Sequence, residues 1–61
     1  MKTELFVLKA VRNVNFEIKL TGNKIYKVFD VKTINKVTHF LIYDDTNHFV
    51  YAHNRYFKPV D

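Results

Sequence analysis

The sequence predicts an all-β fold, a small barrel of about five short strands, and three observations carry that prediction. Branched and aromatic side chains, which suit a pleated and half-buried surface, fill runs of four to eight residues. Turn-forming residues punctuate those runs at short intervals. The chain has 61 residues and no cysteine, so no disulfide can staple it. Its six Phe and four Tyr must supply a dense core instead, since each ring buries roughly 150–250 Å². Closing the sheet would also remove exposed strand edges that invite aggregation.

Residues 4–11, ELFVLKAV, form the first expected strand; helix is conceivable, but their branched and aromatic content favours β. RNVN, residues 12–15, reads as a loop, because Asn tolerates left-handed backbone. FEIKL, residues 16–20, alternates, with Phe16, Ile18 and Leu20 on one face against Glu17 and Lys19. That pattern predicts a short half-buried segment. TGNK, residues 21–24, holds the single glycine and is the strongest turn signal. IYKVFDVK, residues 25–32, is a strand, and TINKV, residues 33–37, a loop. Residues 39–52, HFLIYDDTNHFVYA, read as a hairpin around a polar turn. HNRYF, residues 53–57, suits a single 3₁₀ turn. Lys58, Pro59 and Val60 suit a last edge strand, where proline is tolerated. The whole chain, 1–61, is expected to form one domain. The order of strand, long loop, strand, loop, hairpin, 3₁₀ turn and short strand is the SH3-like pattern.

Three stretches also carry a family resemblance. They are Leu20-Thr21-Gly22-Asn23-Lys24-Ile25-Tyr26-Lys27-Val28, Phe40-Leu41-Ile42-Tyr43-Asp44-Asp45 and Tyr56-Phe57-Lys58-Pro59-Val60. Together they resemble small SH3-like barrel proteins of phages and prophages of low-GC Gram-positive bacteria. The resemblance spans roughly residues 5 to 60 and implies a fold; members of that kind mostly lack an assigned activity. Gly22-Asn23 departs from the L-T-x-G-K-x-Y-x-V pattern, in which glycine comes second. Asn can also take positive φ, so the turn changes type without threatening the fold. Composition agrees on origin: Phe, Tyr, Met, Ile, Asn and Lys make up 29 residues and Gly, Ala, Arg and Pro only 6. Such a skew is expected of an AT-rich genome or its phages.

Charge and residue usage narrow the function classes. The net charge is +4, and residues 1–36 hold eight Lys and Arg against three Asp and Glu. A basic half can attract phosphates or acidic protein surfaces, although spaced lysines also simply keep an apolar domain soluble. No apolar run approaches the roughly 20 residues of a membrane span. MKTELFVLKAVRN is interrupted by Lys9 and Arg12, and no small-residue cleavage site follows, so it is not read as a signal peptide. The chain is expected in the cytoplasm, with no membrane partner.

Catalysis is not expected. Serine and cysteine are absent, and one glycine cannot build a phosphate loop. Asp44 and Asp45 resemble paired carboxylates, but at a turn Asp more often bonds nearby backbone N–H groups. His39, His48 and His53 are read as rim histidines, because His39 and His48 sit at opposite ends of the hairpin and a zinc site needs three or four converging ligands. No metal, cofactor or small-molecule substrate is therefore expected.

What remains is the hairpin, both of whose faces look apolar. A turn centred on Asp45 and Thr46 would set residue 43 opposite 48 and residue 39 opposite 52. Phe40, Ile42, Phe49 and Tyr51 would then share one face; His39, Leu41, Tyr43, His48, Val50 and Ala52 would share the other. Leu41, Val50 and small Ala52 suit the crowded interior, which places the first set outside beside Tyr56, with Tyr26 a further candidate neighbour. Bent strands or the loop of residues 12–23 could cover those rings; left open, they are a docking surface. The favoured reading is a non-catalytic module that docks a protein partner, or a second copy of itself, through Phe40, Phe49, Tyr51 and Tyr56, and modulates or inhibits a host protein. The alternative is nucleic-acid binding, with Lys19, Lys24, Lys27, Lys32 and Lys36 tracking phosphates and Tyr26 or Tyr51 stacking bases.

Overall fold

The computed structural model describes residues 3–61; Lys2, counted above in the basic half, lies outside them. The chain folds as β1 (Phe6–Ala10), β2 (Val14–Asn15), β3 (Lys19–Leu20), β4 (Ile25–Val28), β5 (Asp30–Ile34), β6 (Val37–Tyr43), β7 (Phe49–His53), a 3₁₀ turn (Asn54–Tyr56) and β8 (Phe57–Lys58). It is all-β, as the side-chain content predicts. Eight short strands take the place of the five expected, in three antiparallel sheets of order β4-β1-β8, β2-β3 and β5-β6-β7.

The core lies between the two larger sheets. Alternation sends Leu8 and Ala10 of β1, Tyr26 and Val28 of β4, and Phe57 of β8 to one side. There they meet Ile42 and Ala52 of the other sheet, with Leu20 from β3 closing one side. Ile42 and Val28 are fully buried, and Phe57 touches both Tyr26 and Phe40 edge-on at ring separations of 6.2 and 5.9 Å. Edge-on contact sets the positive rim of one ring against the negative face of the next.

Residues 25–32 are not one strand. Phe29 donates its backbone N–H to the Leu41 carbonyl, and Asp30 is the register partner of Leu41. Two residues thus oppose one, as in a β-bulge, and the strand breaks there into β4 and β5. Nor are residues 33–37 a loop. β5 and β6 join in a tight hairpin through Asn35 and Lys36, both at positive φ (52° and 67°). Positive φ at both central residues marks a turn whose twist matches the strands.

The β6–β7 hairpin corrects the expected register. Tyr43 pairs with Phe49, Ile42 with Val50, Leu41 with Tyr51 and Phe40 with Ala52, so the loop is the five residues 44–48. A shift of one residue moves a strand's whole side-chain set to the other face. Phe40 and Ile42 therefore turn inward with Val50 and Ala52; Leu41 and Tyr43 turn outward with Phe49 and Tyr51. The expectations that Val50 and Ala52 point in and that Phe49 and Tyr51 point out hold. Those for Phe40, Ile42, Leu41 and Tyr43 are reversed.

Two smaller differences follow from local packing. Only Lys19 and Leu20 of residues 16–20 form a strand, and Phe16, expected on the buried face, is 83% exposed. The last strand begins at Phe57, one residue before Lys58, because Phe57 pairs with Ala10 and is needed in the core. At the turn before β4, Asn23 takes the left-handed conformation (φ 65°), and Gly22 serves a different purpose. A Cβ at Gly22 would lie 3.1 Å from the Arg12 backbone, so the close approach of the two loops favours glycine.

Candidate functional site

The outer face of the β5-β6-β7 sheet carries three of the five exposed aromatic residues among those described, Tyr43, Phe49 and Tyr51. The bulge turns both Phe29 and Asp30 toward it. Phe29 stands edge-on to Tyr43 and Phe49, with ring separations of 5.8 and 5.3 Å. Tyr43 and Phe49, a directly opposed pair, stack at 3.9 Å and 13°. Edge-on and offset-stacked contacts of this kind are the favoured arrangements of aromatic rings.

The next row along the sheet is Asp30, Leu41 and Tyr51. The Tyr51 hydroxyl donates to Asp30 Oδ2 at 2.8 Å, reaching across the central strand. This bridge roofs Leu41, which is only 6% exposed although it points away from the core. Lys32 Nζ lies 5.3 Å from the centre of the Tyr51 ring. The third row holds Lys32, His39 and His53. The two imidazoles are 5.5 Å apart, and His39 Nδ1 lies 2.9 Å from the Val37 carbonyl.

The 3₁₀ turn extends this face. His53 Nδ1 accepts the Arg55 backbone N–H at 3.0 Å and so caps the turn. An imidazole can accept there only while that nitrogen is unprotonated. Burial, then the Arg55 and His39 charges, push the His53 pKa below its ordinary value. Tyr56, half-buried, is flanked by two guanidinium groups: Arg12 and Arg55 lie 5.6 and 5.5 Å from its ring centre.

The loop of residues 44–48 is held by its carboxylates. Asp44 is buried, and its oxygens accept from Thr46 N–H and hydroxyl, from His48 N–H and from Lys19 N–H. Burial pushes its carboxyl up, but those bonds outweigh burial and hold the pKa down at about 2. Asp45 accepts from Lys24 Nζ at 2.8 Å and from the Thr21 and Tyr26 hydroxyls at 2.7 Å each. The Lys24 bond holds its pKa below the usual carboxylate range against the effect of burial. Both acids thus act as turn and tether, pinning the hairpin tip to β3 and the β3–β4 turn.

Of the residues singled out in the sequence, the structure brings Phe49 and Tyr51 together on one face. Tyr56 lies beyond His53 at the end of that face. Phe40 does not belong there: its ring packs inward between Phe6 and Phe57, 5.9 Å from each. Tyr26 is buried, with its hydroxyl bonded to Asp45, and offers no free face for a base. The five lysines do not act as one group. Lys24 is paired with Asp45, Lys27 lies 3.8 Å from Glu4, Lys32 covers Tyr51, and Lys19 and Lys36 sit on other elements. Phe29, Tyr43 and the two arginines were not singled out. The bulge and the register hid the first two; the third dimension alone brings residues 12 and 55 to one ring.

Two grooves adjoin the aromatic face. One, about 250 Å³, runs between β4 and the 44–48 loop and ends on Phe29 and Tyr43. The other, about 260 Å³, runs between β7 with the 3₁₀ turn and the loop around Phe16. Among the described residues no cluster of three or more His, Cys, Asp or Glu could hold a metal ion, and no helix is long and apolar enough to cross a membrane. No protein-family model matches the chain, and neither does any curated protein or solved structure.

Proposed function

We propose that the chain is a small non-catalytic binding module that docks a protein partner with the outer face of the β5-β6-β7 sheet. The observation that carries this reading is the exposure of braced aromatic rings. Tyr43, Phe49 and Tyr51 remain 48, 40 and 37% exposed. Each is fixed by a neighbour: Tyr43 and Phe49 by one another and by Phe29, Tyr51 by Asp30 and Lys32. Rigid aromatics of this kind supply contact area at little entropic cost. The architecture supports the same reading. Two three-stranded sheets, linked through one strand that breaks at Phe29, with a 3₁₀ turn before the last strand, suit an SH3-like barrel. With the sequence resemblance, this favours a phage or prophage module acting on a host protein in the cytoplasm.

Nucleic acid is the weaker fit. Two of its five candidate lysines are already opposite carboxylates, and its candidate base-stacking ring at Tyr26 is buried. A comparative capture tests the choice. Immobilised wild type and a Tyr43→Ser/Phe49→Ser double variant are exposed to one bacterial lysate, after urea melts show both to be folded. The reading expects a protein held by wild type and lost from the double variant. Equal capture by both would refute it. Binding of DNA whose affinity falls steeply between 50 and 200 mM salt would put the alternative in its place.

A further inference from the structure

The groove beside β7 has features that the aromatic face does not explain. In the β6–β7 ladder the Asp44 N–H bonds the His48 carbonyl, and Ile42–Val50 and Phe40–Ala52 follow in the same phase. The residues between them, Phe49, Tyr51 and His53, then point their N–H and C=O groups away from β6. No other strand among the described residues pairs with that edge. The groove lies along it, with Val14 of β2 and the loop side chains Phe16 and Ile18 forming the opposite wall. Arg55 and Tyr56 line its end, Arg12 lies 5.6 Å from the centre of the Tyr56 ring, and neither arginine has an ion pair among the described residues.

We infer that this groove accepts an extended acidic segment of a partner protein, added as a new strand to the open edge of β7, with its carboxylates against Arg12 and Arg55. The inference rests on the reading that the chain binds proteins, and it assigns the partner's chemistry. An open edge offers alternating donors and acceptors, which only another peptide backbone can match. A nucleic-acid backbone has acceptors and no N–H donors, and it repeats a charge at every unit beside Glu17, which also lines the groove. A peptide can space its acids so that they meet the arginines and spare Glu17. Guanidinium groups stacked on a ring keep their N–H edges free for bidentate carboxylate contact. Exposed Phe16 on the far wall would cover the apolar side chains of the added strand.

The test is an amide-resolved NMR titration of the full chain with three probes: a capped hexapeptide alternating glutamate with valine, the same peptide with lysine for glutamate, and a ten-residue oligothymidine. The inference expects the glutamate peptide to shift and protect the Phe49, Tyr51 and His53 amides, with the lysine peptide at least about tenfold weaker. An Arg12→Gln/Arg55→Gln variant should lose about tenfold in affinity for the glutamate peptide, as two exposed charge contacts predict. An Ile25→Ser variant, at an exposed position of β4 away from the groove, should bind that peptide as wild type does. Equal binding of both peptides, shifts confined to Tyr43 and Phe29, or preferential binding of the oligonucleotide would each overturn it. If capture through Tyr43 and Phe49 persists while the glutamate peptide fails, the binding-module reading stands and this inference alone falls.

Discussion

Acid should loosen this domain at one identifiable carboxylate. Asp44 is buried in a surface loop and accepts three backbone N–H groups and one hydroxyl. Its folded pKa is about 2, against an ordinary value of 3.8. A depressed carboxyl stabilises the fold above its unfolded pKa, and the contribution disappears as pH falls through the folded one. The window is therefore about pH 4 down to pH 2. The difference in pKa corresponds to roughly 2.4 kcal/mol by linkage, and water near the loop reduces this to about 1–2 kcal/mol. A chain of this length has a total stability of roughly 3–9 kcal/mol, so the loss is a large fraction. Asp44→Asn keeps the shape and one acceptor oxygen but cannot ionise. Urea melts of wild type and Asp44→Asn should differ at pH 5 by about 1–2 kcal/mol more than at pH 2. Taking the difference between the two proteins removes Asp45, whose own depressed pKa makes both acid-sensitive. A difference that stays constant from pH 5 to pH 2 would refute the reasoning, because the charge on Asp44 would then contribute nothing to folding.

Three further outcomes are expected. Gly22→Ala should lower the urea midpoint by the equivalent of about 1–3 kcal/mol, because its methyl group would press on the Arg12 backbone at 3.1 Å. Ile42→Ala should cost about 2–4 kcal/mol, while Tyr43→Ala, one residue on, costs about 1 kcal/mol or less; the reverse order in thermal melts would mean the hairpin register is off by one. The His53 pKa, read from its ring protons by NMR, should fall below 6.5, since burial and the Arg55 and His39 charges disfavour its protonated form. Stability contributed by that depressed pKa is present above 6.5 and lost as pH falls below it, and the Arg55 amide should then exchange faster as its cap acceptor is protonated.

The sequence made the strands legible and the pairing much less so. Branched and aromatic runs located β1, β4, β6 and β7 well, because a residue's preference for a pleated surface is a local property. Pairing depends on how many residues a loop consumes. Asp44-Asp45-Thr46-Asn47 invited a four-residue turn, and five were used, because Asp44 reaches Lys19, twenty-five positions earlier, as well as its own loop. That single residue sent Phe40 and Ile42 into the core and brought Tyr43 out to stack on Phe49. The bulge at Phe29 was equally hidden, since its only sign is a backbone bond to Leu41 in another strand.

The corrected register strengthens the case for a docking face, and by a physical route. In the expected arrangement the exposed set mixed Ile42 with Phe40, Phe49 and Tyr51, a loose apolar patch that the protein's own loops could cover. In the observed arrangement Ile42 is sealed, and the rings left outside are tied: Tyr51 to Asp30, Tyr43 to Phe49 and Phe29. Leu41 shows what self-cover looks like on this face, since one tyrosine bridge reduces it to 6% exposure. Tyr43 and Phe49 sit one row away, stack on each other beside Phe29, and still remain 48 and 40% exposed. A fold able to cover Leu41 with its own side chains leaves these two rings partly exposed, and a second surface pressed against them would remove that apolar area from water at roughly 25 cal/mol per Å².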